Sequence, residues 1–178
     1  MRKVVVYELL SLDGVAEEPL EFITDWDDVM RANLERVITT QDTVLLGRRT
    51  YDDWAAFWPG SDIEPFASFI NGVQKFVASS TPLERPWSGS HVLDRGLAES
   101  VADLKRQDGG DIGVHGSISL TQSLLEGGLV DELRLVVAPV LQVHGRRLFD
   151  RASPKRLSLT RAVTSPTGCL LADFDLAD

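Results

Sequence analysis

Short apolar runs that are typical of β-strands alternate along this chain with segments whose apolar residues recur at helical spacing. The run VVV at 4–6 is followed by Trp26, Met30 and Leu34, and then by a second apolar run at 43–47. Apolar residues three or four positions apart place one face of a helix against a core. Parallel strands need crossover connections, which are usually helices. The alternation therefore predicts a mostly parallel sheet covered by helices on both faces.

The same pattern continues to the end of the chain. The first helix is expected to begin near 25, and the remaining helices are predicted at 49–57, 64–71, 97–107 and 118–128. Further strands are predicted at 75–80, 90–94, 111–117 and 130–141. The last two, at 156–163 and 169–176, flank the turn TSPTG and predict a hairpin. The expected fold class is α/β: a single domain over 1–178, built as a three-layer α/β/α sandwich with a mostly parallel central sheet and a C-terminal antiparallel hairpin.

Charge limits the classes of partner. The chain of 178 residues has a formal net charge of −9 and a sequence pI of about 4.8. Nucleic acids and anionic membranes favour basic surfaces, so neither is expected as a partner. The N-terminus lacks the pattern of a signal peptide, and no run of about 18 apolar residues is present. We expect a soluble, cytoplasmic protein that acts on a small-molecule substrate.

The cysteine and histidine content argues against a metal site. Cys169 is the single cysteine, which excludes an internal disulfide and a site with several thiolate ligands. The histidines, His91, His115 and His144, lack the spacing of metal ligands. No metal is predicted.

Three predicted strand ends carry small, hydroxyl-bearing or basic residues. They are the segments GRRT at 47–50, SST at 79–81 and GS at 116–117. A helix start leaves backbone N–H groups unpaired and favours anions, and guanidinium groups add donors suited to phosphate. Together the three segments predict a phosphate-rich ligand at one sheet edge, although neither G-x-G-x-x-G nor a P-loop is present. The alternative is a capped helix whose arginines lie in solvent.

These segments, with others, make the chain similar to a known family. The matching motifs are SLDG at 11–14, LLGRRTY at 45–51, FVASST at 76–81, VHGSISL at 114–120, LLEGGLVDELRL at 124–135 and GRRLF at 145–149. In their order and spacing the chain resembles the dihydrofolate reductase-like family that includes the reductase domain of riboflavin biosynthesis. The resemblance runs from the first strand to about 149 and covers most of the chain.

The resemblance implies NADPH as the reductant. It assigns the adenosine side and pyrophosphate to the 47–50 segment, the 2′-phosphate to the 79–81 segment, and close approach of the cofactor to 116–118. It also places the nicotinamide near the loop after the first strand, beside Leu9, Leu10, Val15 and Ala16. The predicted cofactor-binding residues are Leu10, Ala16, Gly47, Arg48, Arg49, Thr50, Ser79, Ser80, Thr81, Gly116, Ser117 and Ile118.

Asp13 and His115 are the candidate catalytic residues. Asp13 is predicted at the reactive end of the cofactor, where a carboxylate could contact substrate or relay a proton. The alternative is that Asp13-Gly14 is simply a tight turn. His115 ends a predicted strand that faces the site, and histidine titrates near neutral pH. Its alternative is a structural histidine with satisfied hydrogen bonds.

Two departures from the family pattern bear on the substrate. Dihydrofolate reductases place a carboxylate on the first helix, where this chain has Arg31, and Asp27 and Asp28 are better explained as charges at a helix start. Riboflavin-pathway reductases usually have a lysine after SLDG, where this chain has Val15. Neither folate reduction nor the riboflavin step itself is therefore the expected reaction.

The leading hypothesis is an NADPH-dependent oxidoreductase that transfers hydride to a small heterocyclic substrate, pterin- or pyrimidine-like. The alternative is a non-catalytic nucleotide-binding or assembly module on the same scaffold, and another reduced cofactor, such as a deazaflavin, is a third reading. A homodimer is expected, because the strand at 132–141 and the terminal hairpin offer apolar strand surface at one end of the sheet.

Overall fold

The computed structural model describes residues 1–176, and one mixed sheet of eight strands organises them. The strands are β1 (Val4–Ser11), β2 (Gln41–Gly47), β3 (Gln74–Ala78), β4 (Ser90–Val92), β5 (Asp111–His115), β6 (Glu132–Ala138), β7 (Leu157–Thr164) and β8 (Leu170–Leu176). The helices are α1 (Asp28–Ile38), α2 (Arg48–Phe57), α3 (Phe66–Gly72), α4 (Leu97–Arg106) and α5 (Ile118–Glu126). Short 3₁₀ turns lie at Pro19–Glu21 and Trp58–Gly60.

The strand order is β4-β3-β2-β5-β1-β6-β8-β7. The strands from β4 to β6 pair in parallel, with Val6 of β1 opposite Val114 of β5 and Leu133 of β6. Both β6–β8 and β8–β7 pairs are antiparallel, so the C-terminal hairpin forms one end of the sheet. The predicted mostly parallel sheet with a terminal hairpin is confirmed.

Helices cover both faces of the sheet and divide the core into two layers. On one face, Met30 of α1, Tyr51 of α2 and Ile70 of α3 pack together. On the other face, Val101 of α4 and Leu124 of α5 pack against alternate residues of β1 and β5. The alternation follows from the strand geometry, because successive side chains point to opposite faces. The three-layer prediction is confirmed.

Several element boundaries differ from those predicted, and two of these differences have a clear local reason. The first helix begins at Asp28 rather than near 25, because the side chain of Asp27 caps it by accepting a 2.9 Å hydrogen bond from the N–H of Met30. The strand expected at 130–141 ends at Ala138. Pro139 follows it, and proline has no N–H to donate to a sheet.

Over residues 1–176, no helix has the length and apolar character needed to cross a membrane. The same residues contain no group of three or more histidine, cysteine or acidic side chains placed to hold a metal ion.

Candidate functional site

The three predicted strand ends lie side by side. Strands β3, β2 and β5 are neighbours and run in parallel, so their carboxyl ends meet at one edge of the sheet. The backbone N–H of Gly47 donates a 3.0 Å hydrogen bond to Oγ of Ser117, and Oγ1 of Thr50 donates to the carbonyl of Gly116 at 3.3 Å. The start of α2 and the start of α5 are therefore joined, as the arrangement of an open α/β sheet predicts for a ligand site.

Neither of these two helices is capped by a side chain. Gly47 precedes α2, and Ser117 precedes α5 without bonding to an N–H of its own helix. In contrast, α1 is capped by Asp27. Uncapped first turns leave N–H groups directed at the space in front of the helix, where the helix dipole favours negative charge. Two such starts that face one another form a site suited to an anion with two charged groups.

Gly116 occupies a position that a larger residue does not fit. Its φ is +62°, in the left-handed region, and an added Cβ would lie 2.9 Å from Cζ2 of Trp54. The turn is therefore packed closely on the indole ring while Gly116 itself remains exposed. Close packing on one side and exposure on the other let a ligand approach the backbone of this turn.

Arg48 connects α2 to the turn after β3. Its Nε lies 2.8 Å and 2.9 Å from the two carboxylate oxygens of Asp52. Its Nη1 donates to Oγ1 of Thr81 at 2.6 Å and to the carbonyl of Pro82 at 2.9 Å. Ser79 also fixes this turn, because its hydroxyl donates to the carbonyl of Thr81 at 2.8 Å. Much of the donor capacity of Arg48 is thus used within the protein, which gives it a positioning role.

Arg49 and Ser80 are exposed at the same edge. The Arg49 guanidinium lies close enough to Glu17 to help lower the pKa of that carboxyl, although the main cause is a hydrogen bond from Arg146. Arg146 lies 2.8 Å from Glu17 and donates to Oγ of Ser119 in the first turn of α5 at 3.2 Å. Two guanidinium groups, from Arg49 and Arg146, therefore flank the joined helix starts.

Leu10, Ala16 and Ile118 meet in one apolar cluster on the α5 side of the sheet. Their side chains are buried, and Leu9, on the opposite face of β1, is half-buried. Val15 is fully buried and forms a bridge with Arg147. The structure thus places two of the residues predicted near the nicotinamide, Leu10 and Ala16, in this cluster, whereas Leu9 and Val15 belong to the core on the other face of the sheet. Contact of these residues with the nicotinamide stays a prediction.

Asp13 is held in a network of donors. Its carboxylate accepts from the hydroxyl of Ser11 at 2.7 Å and from the N–H groups of Gln142 and Val143, each at 3.0 Å. Arg147 adds a contact at 3.2 Å. The hydroxyl of Ser11 holds the pKa of Asp13 well below its usual range, and the backbone donors lower it further. These contacts fasten the loop after β1 to the 142–147 segment; the catalytic role stays a prediction.

His115 points into the core. Its Nε2 lies 2.7 Å from Oε1 of Gln41, and its ring packs against Tyr7, Phe66 and Phe69. Burial lowers the pKa of His115 to about 3, so the ring is neutral near neutral pH. This is the environment of a structural histidine, and the catalytic role predicted for His115 has no contact that supports it.

Glu8 is a buried carboxyl that the sequence analysis missed. It lies on β1, is 3% exposed, and accepts a long hydrogen bond of 3.4 Å from Oγ1 of Thr121. Burial raises the pKa of Glu8 to about 8. The signal was present in the sequence, because Val6 and Leu10 on either side are core residues at the spacing of two that marks one face of a strand.

The sequence of this chain is similar to those of known proteins. A family model described as the RibD C-terminal domain matches residues 2–171. The uncharacterized protein YyaP of Bacillus subtilis (strain 168) is 32% identical over 112 residues, which cover 61% of this chain and 59% of YyaP. The uncharacterized protein YwjB of the same organism is 26% identical over 153 residues, 83% of each chain. The match to YyaP thus spans less than two thirds of that relative.

Solved structures with the same fold cover almost the whole chain. A putative riboflavin biosynthesis protein from Shewanella sp. PV-4 has a TM-score of 0.82 at 18% identity and covers 99% of both chains. A pyrimidine reductase-like protein from Corynebacterium diphtheriae has a TM-score of 0.67 at 15% identity, with 99% of this chain and 92% of that chain covered. A diaminohydroxyphosphoribosylaminopyrimidine deaminase/5-amino-6-(5-phosphoribosylamino)uracil reductase from Thermotoga maritima has a TM-score of 0.71 at 12% identity and is covered over 57% of its length.

Proposed function

The chain belongs to the RibD C-terminal domain family, with a dihydrofolate reductase-like fold, and from this membership we propose that it is an NADPH-dependent reductase of a small heterocyclic, pyrimidine- or pterin-like substrate. The observation that carries the proposal is the junction of two uncapped helix starts, made by the hydrogen bonds from Gly47 to Ser117 and from Thr50 to Gly116. A dinucleotide has a central pyrophosphate, and helix starts are common binding sites for such a group.

The residues at this edge fit the phosphates of NADPH. The pyrophosphate would lie against the starts of α2 and α5, with Gly116 exposed beneath it and Arg49 beside it. The 2′-phosphate would lie at the turn after β3, where Ser80 is exposed and Arg48 fixes the backbone. Both places offer donors to anions, although the protein as a whole is acidic.

The nicotinamide end would lie beside the loop after β1, near Leu10 and Ala16. When bound, the reduced nicotinamide supplies the hydride, and the protein supplies binding and orientation. The network around Asp13 fixes this loop against the 142–147 segment. The buried apolar residues of this fixed loop, Val15 and Ala16, would exclude water from one side of the ring and limit the orientations it can adopt.

A pyrimidine-type substrate is supported by the relatives. The Corynebacterium diphtheriae protein is described as pyrimidine reductase-like, and the name of the Thermotoga maritima protein includes 5-amino-6-(5-phosphoribosylamino)uracil reductase. Val15 is buried where riboflavin-pathway reductases usually have lysine, so a substrate without a ribityl phosphate is proposed here.

One observation favours the alternative, a nucleotide-binding module without catalysis. Arg31 stands where dihydrofolate reductases have a carboxylate, and it donates a 3.0 Å hydrogen bond to the carbonyl of Glu64. Arg31 therefore occupies the position on α1 from which the carboxylate of dihydrofolate reductases helps to protonate the substrate.

Titration of NADPH and NADH into the purified protein, followed by nucleotide fluorescence, tests the cofactor. NADPH consumption with a panel of pyrimidines, pterins and quinones then tests catalysis. Saturable NADPH binding with turnover of a panel member supports the reductase, whereas saturable binding without any turnover supports the module. Absence of binding by either nucleotide contradicts both.

We also propose a homodimer formed through the C-terminal hairpin. Leu159 of β7 is 58% exposed and Leu170 of β8 is 41% exposed. Leu159 lies opposite Phe174. Leu170 is on the same face of β8 as Phe174, because their positions differ by four and every second residue of a strand points to the same face. The two leucines thus share a face at the end of the sheet, where a second copy would cover them.

A further inference from the structure

A buried carboxyl group without a cationic partner lies beside the turn at Gly116 and Ser117. Glu8 is on the face of β1 that packs against α5, and its carboxyl accepts from Oγ1 of Thr121 at 3.4 Å. Tyr7 lies opposite His115 in the pairing of β1 with β5, so Glu8 and Gly116 are the next residues of the two chain segments. Thr121 connects Glu8 to the same turn, because its backbone N–H donates to the carbonyl of Ser117 at 2.8 Å.

The surroundings of Glu8 are apolar. The elements packed against this face of β1 are α4, α5, β5, β6 and the 145–149 segment, and all contribute buried hydrophobic side chains to one cluster. These side chains include Val114, Ile118, Leu124, Leu135 and Leu148. Thr121 is fully buried among them.

The charged and titratable groups of the same elements are engaged elsewhere. The charged residues of α4 are paired with other groups: Glu99 with Arg95, Lys105 with Asp131 and Arg106 with Asp103. On β6 and in the 145–149 segment the pairs are Arg134 with Glu132 at 2.7 Å, Arg146 with Glu17 at 2.8 Å, and Arg147 with Asp13 at 3.2 Å. On β5, Asp111 is at the far end of the strand and His115 contacts Gln41 on the opposite face. On α5, Glu126 is the last residue of the helix. Within residues 1–176, no cation pairs with Glu8.

We propose that Glu8 is a positioning residue for nucleotide binding: its protonated carboxyl leaves the buried space beside the turn at Gly116 and Ser117 uncharged, and its ionisation places a negative charge there and expels the nucleotide. This inference rests on the proposed function, because the nucleotide is assigned to the same turn. The affinity for NADPH is therefore expected to fall as the pH rises into the mildly alkaline range, although the nucleotide does not touch Glu8.

The surroundings of Glu8 determine how its ionisation and nucleotide binding affect each other. Burial raises the pKa of Glu8 to about 8, so the group is neutral at neutral pH. A phosphate anion above the turn opposes ionisation further, since like charges disfavour the charged form. Binding and protonation are therefore coupled, and the protein takes up protons when NADPH binds near pH 8.

The test compares the pH dependence of NADPH affinity in the wild-type protein and in Glu8→Gln, which has a similar shape and cannot ionise. For the wild type, affinity is expected to fall about tenfold between about pH 7 and about pH 9, as a single group with a pKa near 8 requires. For Glu8→Gln, the same interval is expected to give a flat profile. Ionisation of the 2′-phosphate does not explain a difference between the two proteins, because phosphate monoesters have a second pKa near 6, are largely ionised by about pH 7, and ionise equally in both titrations.

Lys75 titrates in the same range and is controlled by the comparison. Burial lowers the pKa of Lys75 to about 8, and its amine lies 4.7 Å from the ring centroid of Trp87, away from the joined helix starts. Lys75 is present in both proteins, so the difference between their profiles belongs to Glu8.

A second measurement needs no variant. Isothermal titration of the wild type in buffers of different ionisation enthalpy is expected to show uptake of about half a proton per NADPH near pH 8. No uptake, or parallel pH profiles for wild type and Glu8→Gln, overturns this inference and leaves nucleotide binding intact. Absence of NADPH binding by both proteins even at pH 7 instead overturns the proposed function, and this inference with it. If Glu8→Gln does not fold, the uptake measurement alone decides.

Discussion

The hydroxyl oxygen of Ser117 accepts a 3.0 Å hydrogen bond from the backbone N–H of Gly47, which joins the N-cap of α5 to the N-cap of α2. Ser117 therefore bonds across the sheet edge instead of capping its own helix. This leaves the first-turn N–H groups of α5 directed toward the space that the two helix starts share.

Ser117→Ala is expected to lower the free energy of unfolding by about 1 kcal/mol, the usual net contribution of one hydrogen bond. It is also expected to weaken NADPH binding, because the two helix starts lose the bond that sets their separation. Chemical denaturation and nucleotide titration measure the two effects. The matched control is Ser123→Ala, an exposed serine of the same helix whose hydroxyl bonds only to the carbonyl of Ser119. Equal effects from both variants would contradict the special role of Ser117.

The proximity of the three strand ends was predictable from sequence. Alternating strands and helices imply a parallel sheet, and the carboxyl ends of parallel strands lie at one edge. What the sequence could not supply was the direction of individual side chains. His115 precedes Gly116 directly, yet its ring packs among Phe66 and Phe69 in the core, because α3 covers the face of β5 on which His115 lies.

The role of Arg48 was also only partly predictable from the sequence. Its charge predicted a phosphate contact, and its pairing with Asp52 four residues later was visible as helix spacing. The hydrogen bonds to Thr81 and Pro82 depend on the tertiary position of the turn after β3, which no local pattern encodes. Glu8 is a different case, because its position between Val6 and Leu10 already indicates a core-facing side chain. Its hydrogen bond with Thr121 of α5, more than a hundred residues later, is the part that no local pattern encodes.

Gly116→Ala is expected to weaken NADPH binding strongly. The added methyl group would lie 2.9 Å from Trp54, so the turn must shift away from the indole and toward the ligand. Gly128→Ala is the matched control, since Gly128 has a φ of +65°, close to the +62° of Gly116, and nothing within 4 Å of its added Cβ. Both variants carry the same backbone strain, so a difference in nucleotide affinity reports the packing of the turn. Similar affinities in the two variants would remove Gly116 from the site.

Arg49→Ala is expected to weaken NADPH and NADH binding equally, by roughly ten- to a hundredfold, the value of one charge-assisted hydrogen bond. The reason is its place beside the start of α5, where the pyrophosphate common to both nucleotides would lie. Arg48→Ala is expected to weaken NADPH binding more than NADH binding, because it releases the turn at Thr81 that would hold the 2′-phosphate. Ser80→Ala should give a smaller loss in the same direction.

Isothermal titration of both nucleotides measures these effects. Arg106→Ala is the control, since Arg106 is exposed in the last turn of α4 and pairs with Asp103. Unaltered affinity in both the Arg48 and the Arg49 variants would remove the cofactor assignment.

Light scattering at micromolar concentration is expected to report a dimer. A double substitution, Leu159→Lys with Leu170→Lys, is expected to shift the protein toward the monomer, because it places charges on the face that a second copy would cover. Leu20→Lys is the control, since Leu20 is 80% exposed in the turn at Pro19–Glu21, outside the hairpin. A wild-type protein that is monomeric throughout contradicts the proposed dimer.

The buried Glu8 carboxyl gives the stability of the protein a pH dependence of known sign. In the unfolded chain its pKa is near the ordinary value of 4.5, and in the folded protein burial raises the pKa to about 8. Below 4.5 the group is protonated in both states. Between the two values the unfolded state is ionised and the folded state is not, so stability falls as pH rises, by about 1.4 kcal/mol per pH unit.

Glu8→Gln removes this dependence. The free energy of unfolding of the variant, measured by denaturant titration at successive pH values, is expected to rise relative to the wild type from pH 4.5 up to pH 8 and to level off above it. The accumulated difference is on the order of 5 kcal/mol if the carboxyl stays buried, and less if ionisation draws in water. Glu126→Gln, at the exposed end of α5, is the control and should follow the wild type. A wild-type curve parallel to that of Glu8→Gln would mean that Glu8 is solvated in the folded protein.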